Sequence, residues 1–204
     1  MVNRVALDIE TIPLVDDPDF SDPSHWSPFA VALGHQPSTS ADIEVEVLFR
    51  SDSTAESEAK LYHNMINWIA ERTGDSRELV TFNGTDYDLP ILKHRSYRVP
   101  ELDTRGSVVE RLYLLLQTSD HVDLMQDMVD LKGYHVSLDD SLAMHGIECD
   151  EPTWNGEKIT GGHMPEMGLE LLSNGSNTEL REKVHRYAAS DVEPLFELHD
   201  RLRG

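Results

Sequence analysis

The sequence predicts an α/β protein, a mixed sheet flanked by helices, and three observations carry that expectation. Residues 3–11 and 43–49 alternate apolar and polar side chains as strands do. A helical repeat of Leu61, Met65, Trp68 and Ile69 lies between them and a further strand candidate at 78–82, which is β-α-β order and implies some parallel pairing. Beyond residue 88 the apolar spacing is mostly that of helices.

In the first strand Val5, Leu7 and Ile9 point to one face while Asp8 and Glu10 emerge together on the other. Two carboxylates sharing one patch repel, so a folded chain keeps them by protonating one or by supplying a cation. Residues 12–25 are rich in Pro, Asp and Ser and read as a loop beside these acids. Residues 29–33 and 43–49 add strands. Ser53 to Glu56 has capping-box spacing and opens a helix that runs to Thr73-Gly74 and crosses over the sheet. The strand at 78–82 ends in the Asn83-Gly84 turn, and helices follow over 89–97, 108–116, 137–145 and 177–202. Residues 151–162 are a glycine-rich connection that lacks the strand and the lysine-hydroxyl pair of a phosphate loop.

In the last helix Leu180, Val184, Tyr187, Asp191, Leu195, Leu198 and Leu202 form a single stripe. An acid within an apolar stripe is costly unless it is paired with a base or bound to a cation. Asp88 follows a strand and a turn, and this stretch alone reads more readily as a helix cap; its place at the mouth of an open sheet, where ligands bind, shifts the balance. Asp86, two residues earlier, competes with it. Asp123 lies in the segment His121-Val122-Asp123-Leu124, which reads as a strand edge or a helix cap and is left out of the catalytic set.

The 204 residues suffice for one sizeable core, and residues 1–204 are expected to form a single domain. Hydrophobic residues make up 39% of the chain, which argues against acidic disorder and places the charge of −21 on the surface. Only five of the basic residues are lysines, a balance that resembles proteins of extreme halophiles. At molar salt the Debye length is about 3 Å, so the acidity does not exclude a nucleic-acid substrate. A lone cysteine, Cys149, forms no internal disulfide, and the histidines show no zinc-like spacing with it. With no leader and no membrane-spanning run, a cytoplasmic location and no membrane partner are expected.

Asp8-Ile9-Glu10, then Asn83-x-x-x-Tyr87-Asp88, then Tyr187-x-x-x-Asp191 resemble the three motifs of the DEDD 3′–5′ exonucleases in their correct order, in the tyrosine subclass. The nearest likeness is to the proofreading domains of family-B DNA polymerases and their free-standing relatives. The resemblance implies a ribonuclease H-like fold and hydrolysis of nucleic acid from its 3′ end, releasing nucleoside 5′-monophosphates. Single-stranded DNA is the favoured substrate, with RNA the other candidate. It also implies two divalent cations, Mg²⁺ or Mn²⁺. Asp8 bridges them, Glu10 and Asp191 complete one site, and Asp88 supports the second. Tyr187 orients the attacking water, and Asn83 and Thr11 hold the strand terminus. Met65, Trp26 and Trp154 are candidates for stacking on bases, with core packing the commoner role. A polymerase, or another replication or repair partner, would act in trans. The competing readings are an endonuclease of the same broad fold and an acidic scaffold that keeps the fold without the chemistry.

Overall fold

The computed structural model describes residues 3–74, 76–102 and 107–204. Its larger sheet contains five strands: β1 (Arg4–Pro13), β2 (Trp26–Gln36), β3 (Glu44–Phe49), β4 (Arg77–Thr81) and β5 (Ser119–Asp123). Their spatial order is β3-β2-β1-β4-β5. The first three pair antiparallel, whereas β1 with β4 and β4 with β5 pair in parallel. The mixed sheet expected from the β-α-β order is therefore present. The segment 121–124 is both things it resembled, the end of a strand and a cap: Asp123 closes β5 and caps the next helix, its carboxylate accepting the Met125 amide.

α1 (Ala55–Thr73) crosses from β3 to β4, as its apolar repeat requires. Its cap is Thr54, whose hydroxyl accepts the Ser57 amide, one residue beyond the cap that the Ser53–Glu56 spacing predicts. α2 (Asp88–Ser96) and α3 (Val108–Gln117) join α1 on one face of the sheet. There Val5, Leu7, Ile9, Leu33 and Leu79 meet Leu61, Tyr62, Met65 and Ile69. α4 (Leu124–Lys132), α5 (Leu138–His145), α6 (Met164–Ser173), α7 (Thr178–Val192) and α8 (Leu195–Arg203) follow. The second core joins Ala6, Ile12, Ala30, Ala32 and Val80 to Met167, Val184, Ala188 and Leu198.

The helix predicted over 177–202 is two helices. Pro194 has no amide hydrogen to continue α7, so the chain restarts as α8 at Leu195. The apolar stripe survives the break because both pieces rest on the same core, with Val184 and Leu198 fully buried. α4 and α6 lie where the sequence shows only short turns. Within the glycine-rich connection, β6 (Thr153–Trp154) and β7 (Glu157–Lys158) form a small antiparallel hairpin. α6 packs closely on the sheet at Gly168, where a β-carbon would lie 2.6 Å from the Phe29 ring and 2.7 Å from Ile12 Cγ2.

β1 outruns its parallel neighbour. Its pairing with β4 covers only Arg4 to Ala6, and β4 stops at Thr81. Past that point the β4 side of β1 is open, and the start of α2 fills the gap. This opening at the carboxyl ends of β1 and β4 is where the acids collect.

Candidate metal centre

Alternation along β1 sends Asp8 and Glu10 to the face opposite Val5, Leu7 and Ile9. α7 lies across that face, and its last turn delivers Asp191. One carboxylate oxygen from each of Asp8, Glu10 and Asp191 falls within 4.8 Å of the others. Glu10 is 5% exposed, and its Oε1 is buried without a hydrogen-bond partner. A buried, unpartnered carboxylate oxygen facing two further carboxylates is a strong demand for a cation. An all-oxygen donor set suits a hard divalent ion. The residues present therefore fit a metal ion.

Asp88 is the first residue of α2 and is buried. Its Oδ1 accepts the Ile9 amide at 2.9 Å, satisfying a strand donor that β4 is too short to reach. Burial pushes the Asp88 carboxyl up to about 7, against the hydrogen bonds it accepts. Asp191 is likewise pushed up to about 7 by burial, with the Tyr187 hydroxyl opposing by hydrogen bonding to its carboxylate. Asp8 and Glu10 are held well above the usual carboxylate range, first by burial and then by their acidic neighbours. Four acids that disfavour each other's ionisation have their charge stored for a cation. Tyr187 sits one helical turn before Asp191, and burial raises its phenol first, with the Asp191 charge next.

The acids open onto a cavity of about 550 Å³ lined also by Thr11, Phe20, Trp26, Asn83, Asp86, Tyr87, Met164 and Pro165. Phe20 is 68% exposed and stacks on Trp26 with ring centroids 4.7 Å apart and planes 22° from parallel. Tyr87 closes the group edge-on to Trp26 at 6.2 Å. The Tyr87 hydroxyl shares a 2.7 Å hydrogen bond with the Thr11 hydroxyl, which ties this wall to β1.

Asp8, Glu10, Thr11, Asn83, Asp88, Tyr187 and Asp191 all border this cavity, though in different ways. Asp8, Glu10 and Asp191 converge, while Asp88 stands beside them anchored to Ile9. Asp86 is exposed at the cavity wall. Asn83 adopts a left-handed backbone, φ 66°, which asparagine tolerates. Asp123 stays outside the acidic group. Its carboxylate accepts the Asn83 and Thr85 amides, each at 2.8 Å, and so shapes the turn that leads into α2. Of the stacking candidates, Met65 is core and fully buried, and Trp154 packs against His163 at 6.0 Å. Only Trp26 reaches the cavity, and it does so beneath Phe20. Phe20 itself carried no motif, and only its place in the loop after the acids could have marked it.

A second cavity of about 270 Å³ touches Asp8, Tyr187 and Asp191 from the side of the hairpin. Lys158 borders it, held by Asp139 at 2.9 Å and Glu151 at 2.7 Å.

A family model described as the RNase_H superfamily matches residues 5–203. No curated protein matches the sequence. Two solved structures match the chain weakly. One is the metal-free form of the E. coli ExoI–ssDNA complex, at a TM-score of 0.43 and 12% identity over 89% of this chain and 41% of that one. The other is cell-death related nuclease 4 (CRN-4), at a TM-score of 0.41 and 9% identity over 85% of this chain and 64% of that one. The chain thus spans less than two thirds of the length of either.

Proposed function

The chain belongs to the RNase_H superfamily, and from that premise we propose that it is a metal-dependent 3′–5′ exonuclease of the DEDD type, tyrosine subclass. The observation that carries the reading is the convergence of Asp8, Glu10 and Asp191, one carboxylate oxygen of each within 4.8 Å of the others, with Glu10 buried and its Oε1 unpartnered. Asp88 and Tyr187 border the same cavity. A scaffold without chemistry has no need to hold carboxylates together at such electrostatic cost.

Asp8, Glu10, Asp88 and Asp191 would hold two divalent cations, Mg²⁺ or Mn²⁺. When bound, such ions neutralise developing phosphate charge and generate a nucleophile from water near neutral pH. The chain's own groups do the positioning. Tyr187, one helical turn before Asp191 and on the wall of the same cavity, would place its hydroxyl beside the attacking water. That water gives up a proton to solvent and its oxygen bonds to phosphorus, the bond to the 3′ oxygen of the preceding nucleotide breaks as that oxygen takes a proton from solvent, and a nucleoside 5′-monophosphate departs. The shortened strand keeps a 3′ hydroxyl. Phe20, over Trp26 and beside Tyr87, offers a face for the terminal base. Asn83 offers its side-chain amide to the strand terminus, and Thr11 acts there through Tyr87.

The test is cleavage of 5′-labelled single-stranded DNA and RNA in molar KCl with Mg²⁺, with Mn²⁺ and with EDTA. Asp8→Ala and Asp191→Ala are run alongside. A ladder that shortens from the 3′ end only with metal and only in the wild type supports the reading. Cleavage by the variants at the wild-type rate overturns it, as does cation binding without turnover on either nucleic acid.

A further inference from the structure

Resting on the nuclease reading above, we infer that the outer stripe of α2, formed by Lys93, His94 and Tyr97, carries the single strand away from the cavity. Several nucleotides on the 5′ side of the scissile bond are thereby held.

The first ground is charge. In a chain of net charge −21, nearly every cation should find a carboxylate, and many do: Arg72 pairs with Glu44, Arg95 with Glu58 and Arg203 with Asp127. Among the described residues Lys93 and Arg98 form neither an ion pair nor a side-chain hydrogen bond. Both lie on α2 or just past its end. Lys60 on α1, Lys132 on α4 and Arg181 on α7, the last over the Phe49 ring, are in that state away from this helix. The Lys93 charge is felt at His121, whose imidazole is held below its ordinary value by burial first and by Lys93 in addition. His121 hydrogen-bonds Thr81 at the end of β4, so Lys93 lies near the end of the sheet that bears the acids.

The second ground is position. α2 begins at Asp88, inside the cavity wall, and buries Leu89, Ile91, Leu92 and Ser96. Lys93, His94 and Tyr97 therefore share its outer face at helical spacing. From Asp88 to Tyr97 the axis rises about 13 Å. At about 3.4 Å per nucleotide that spans roughly four stacked nucleotides.

The third ground is the aromatic. Tyr97 is 63% exposed and meets Tyr113 in a T-shaped contact at 6.1 Å, so most of the ring remains accessible while a neighbour steadies it. A basic residue and an exposed aromatic one turn apart are what backbone tracking and base stacking need. The stacking component also persists in salt that screens charge.

Two measurements test this together. One is the anisotropy of a 5′-fluorescein DNA dodecamer bound to Asp8→Ala protein. The other is kcat/KM of otherwise wild-type protein on that dodecamer and on a dinucleotide. Lys93→Ala with Arg98→Ala, and separately Tyr97→Ala, should each weaken dodecamer binding by about fivefold or more and lower dodecamer kcat/KM to match. Dinucleotide hydrolysis should stay as it was. Tyr97→Phe, which keeps the ring, should behave as wild type, and Lys60→Ala, which removes the same charge elsewhere, should change nothing. Unaltered dodecamer binding in the α2 variants overturns the inference, and so does an equal loss on the dinucleotide. Binding that depends on the stripe without any cleavage by otherwise wild-type protein sinks the nuclease reading and leaves the stripe standing.

Discussion

The carboxylate of Asp88 accepts the amide hydrogen of Ile9 at 2.9 Å, joining the first residue of α2 to the strand that carries Asp8 and Glu10. Asp88 is therefore a structural anchor as well as a candidate ligand. Asp88→Asn can keep an oxygen on the Ile9 amide while removing the charge. The variant should retain stability to within about 1 kcal/mol and lose about a hundredfold or more of metal-dependent activity. Urea unfolding beside a cleavage assay separates the two roles, and full activity in the folded variant would remove Asp88 from the metal site.

The acids also set how stability varies with pH. Asp88 and Asp191 titrate at about 7 in the folded protein, because burial disfavours their charge, and at about 4 in the unfolded chain. Between those values the folded state holds more protons than the unfolded state. Stability of the metal-free protein should thus fall as pH rises from about 4 to about 7, and the raised Asp8 and Glu10 carboxyls act in the same direction. Divalent cations compete with those protons, so Mn²⁺ should raise Tm more at about pH 8 than at about pH 5. Thermal unfolding in EDTA and in Mn²⁺ at both pH values checks this, and an equal metal shift at both would count against carboxylate ligation.

Asp123 acts at a distance from the acids. Its carboxylate accepts the Asn83 and Thr85 amides at 2.8 Å and the Met125 amide at 3.1 Å. Asp123→Ala leaves three donors short of an acceptor and should cost about 2 kcal/mol or more. Activity should fall with it, since the turn into α2 loses its template. Asp123→Asn, keeping one acceptor oxygen, should recover part of both. Unchanged urea midpoints for the alanine variant would contradict the clamp.

At its far end α2 is held by charge. Glu58, 1% exposed on α1, takes Arg95 Nε at 2.8 Å and Nη2 at 2.6 Å, with Arg50 at 3.5 Å. Glu58→Ala would strand two partly desolvated guanidinium groups and should cost about 3–5 kcal/mol. Urea unfolding reads this directly, and a loss under about 1 kcal/mol, as for an exposed pair, would mean that packing alone secures the helix.

Much of the fold was legible because it rests on local periodicity. Alternation in β1 and β3 and the repeat of α1 each report which face is buried, and together they imply the mixed sheet. Pro194 was legible too, yet the stripe from Leu180 to Leu202 runs through it in phase. The periodicity outweighed the proline because α7 and α8 share one core. β5, α4 and α6 were less distinct, their apolar positions being few and interrupted.

The sequence by itself determined the acids, their order and the alternation that puts Asp8 and Glu10 on one side of a strand. It also placed Tyr187 and Asp191 one turn apart on a helix. Only the tertiary structure decided that Asp191 arrives within 4.8 Å of the first pair. It alone decided that Asp123 serves backbone amides outside the acidic group, and that Phe20 walls the cavity over Trp26. The physical reason is range. Strand alternation and helical phase are set by each residue's near neighbours, whereas Asp191 reaches Asp8 and Glu10 only because α7 packs across β1.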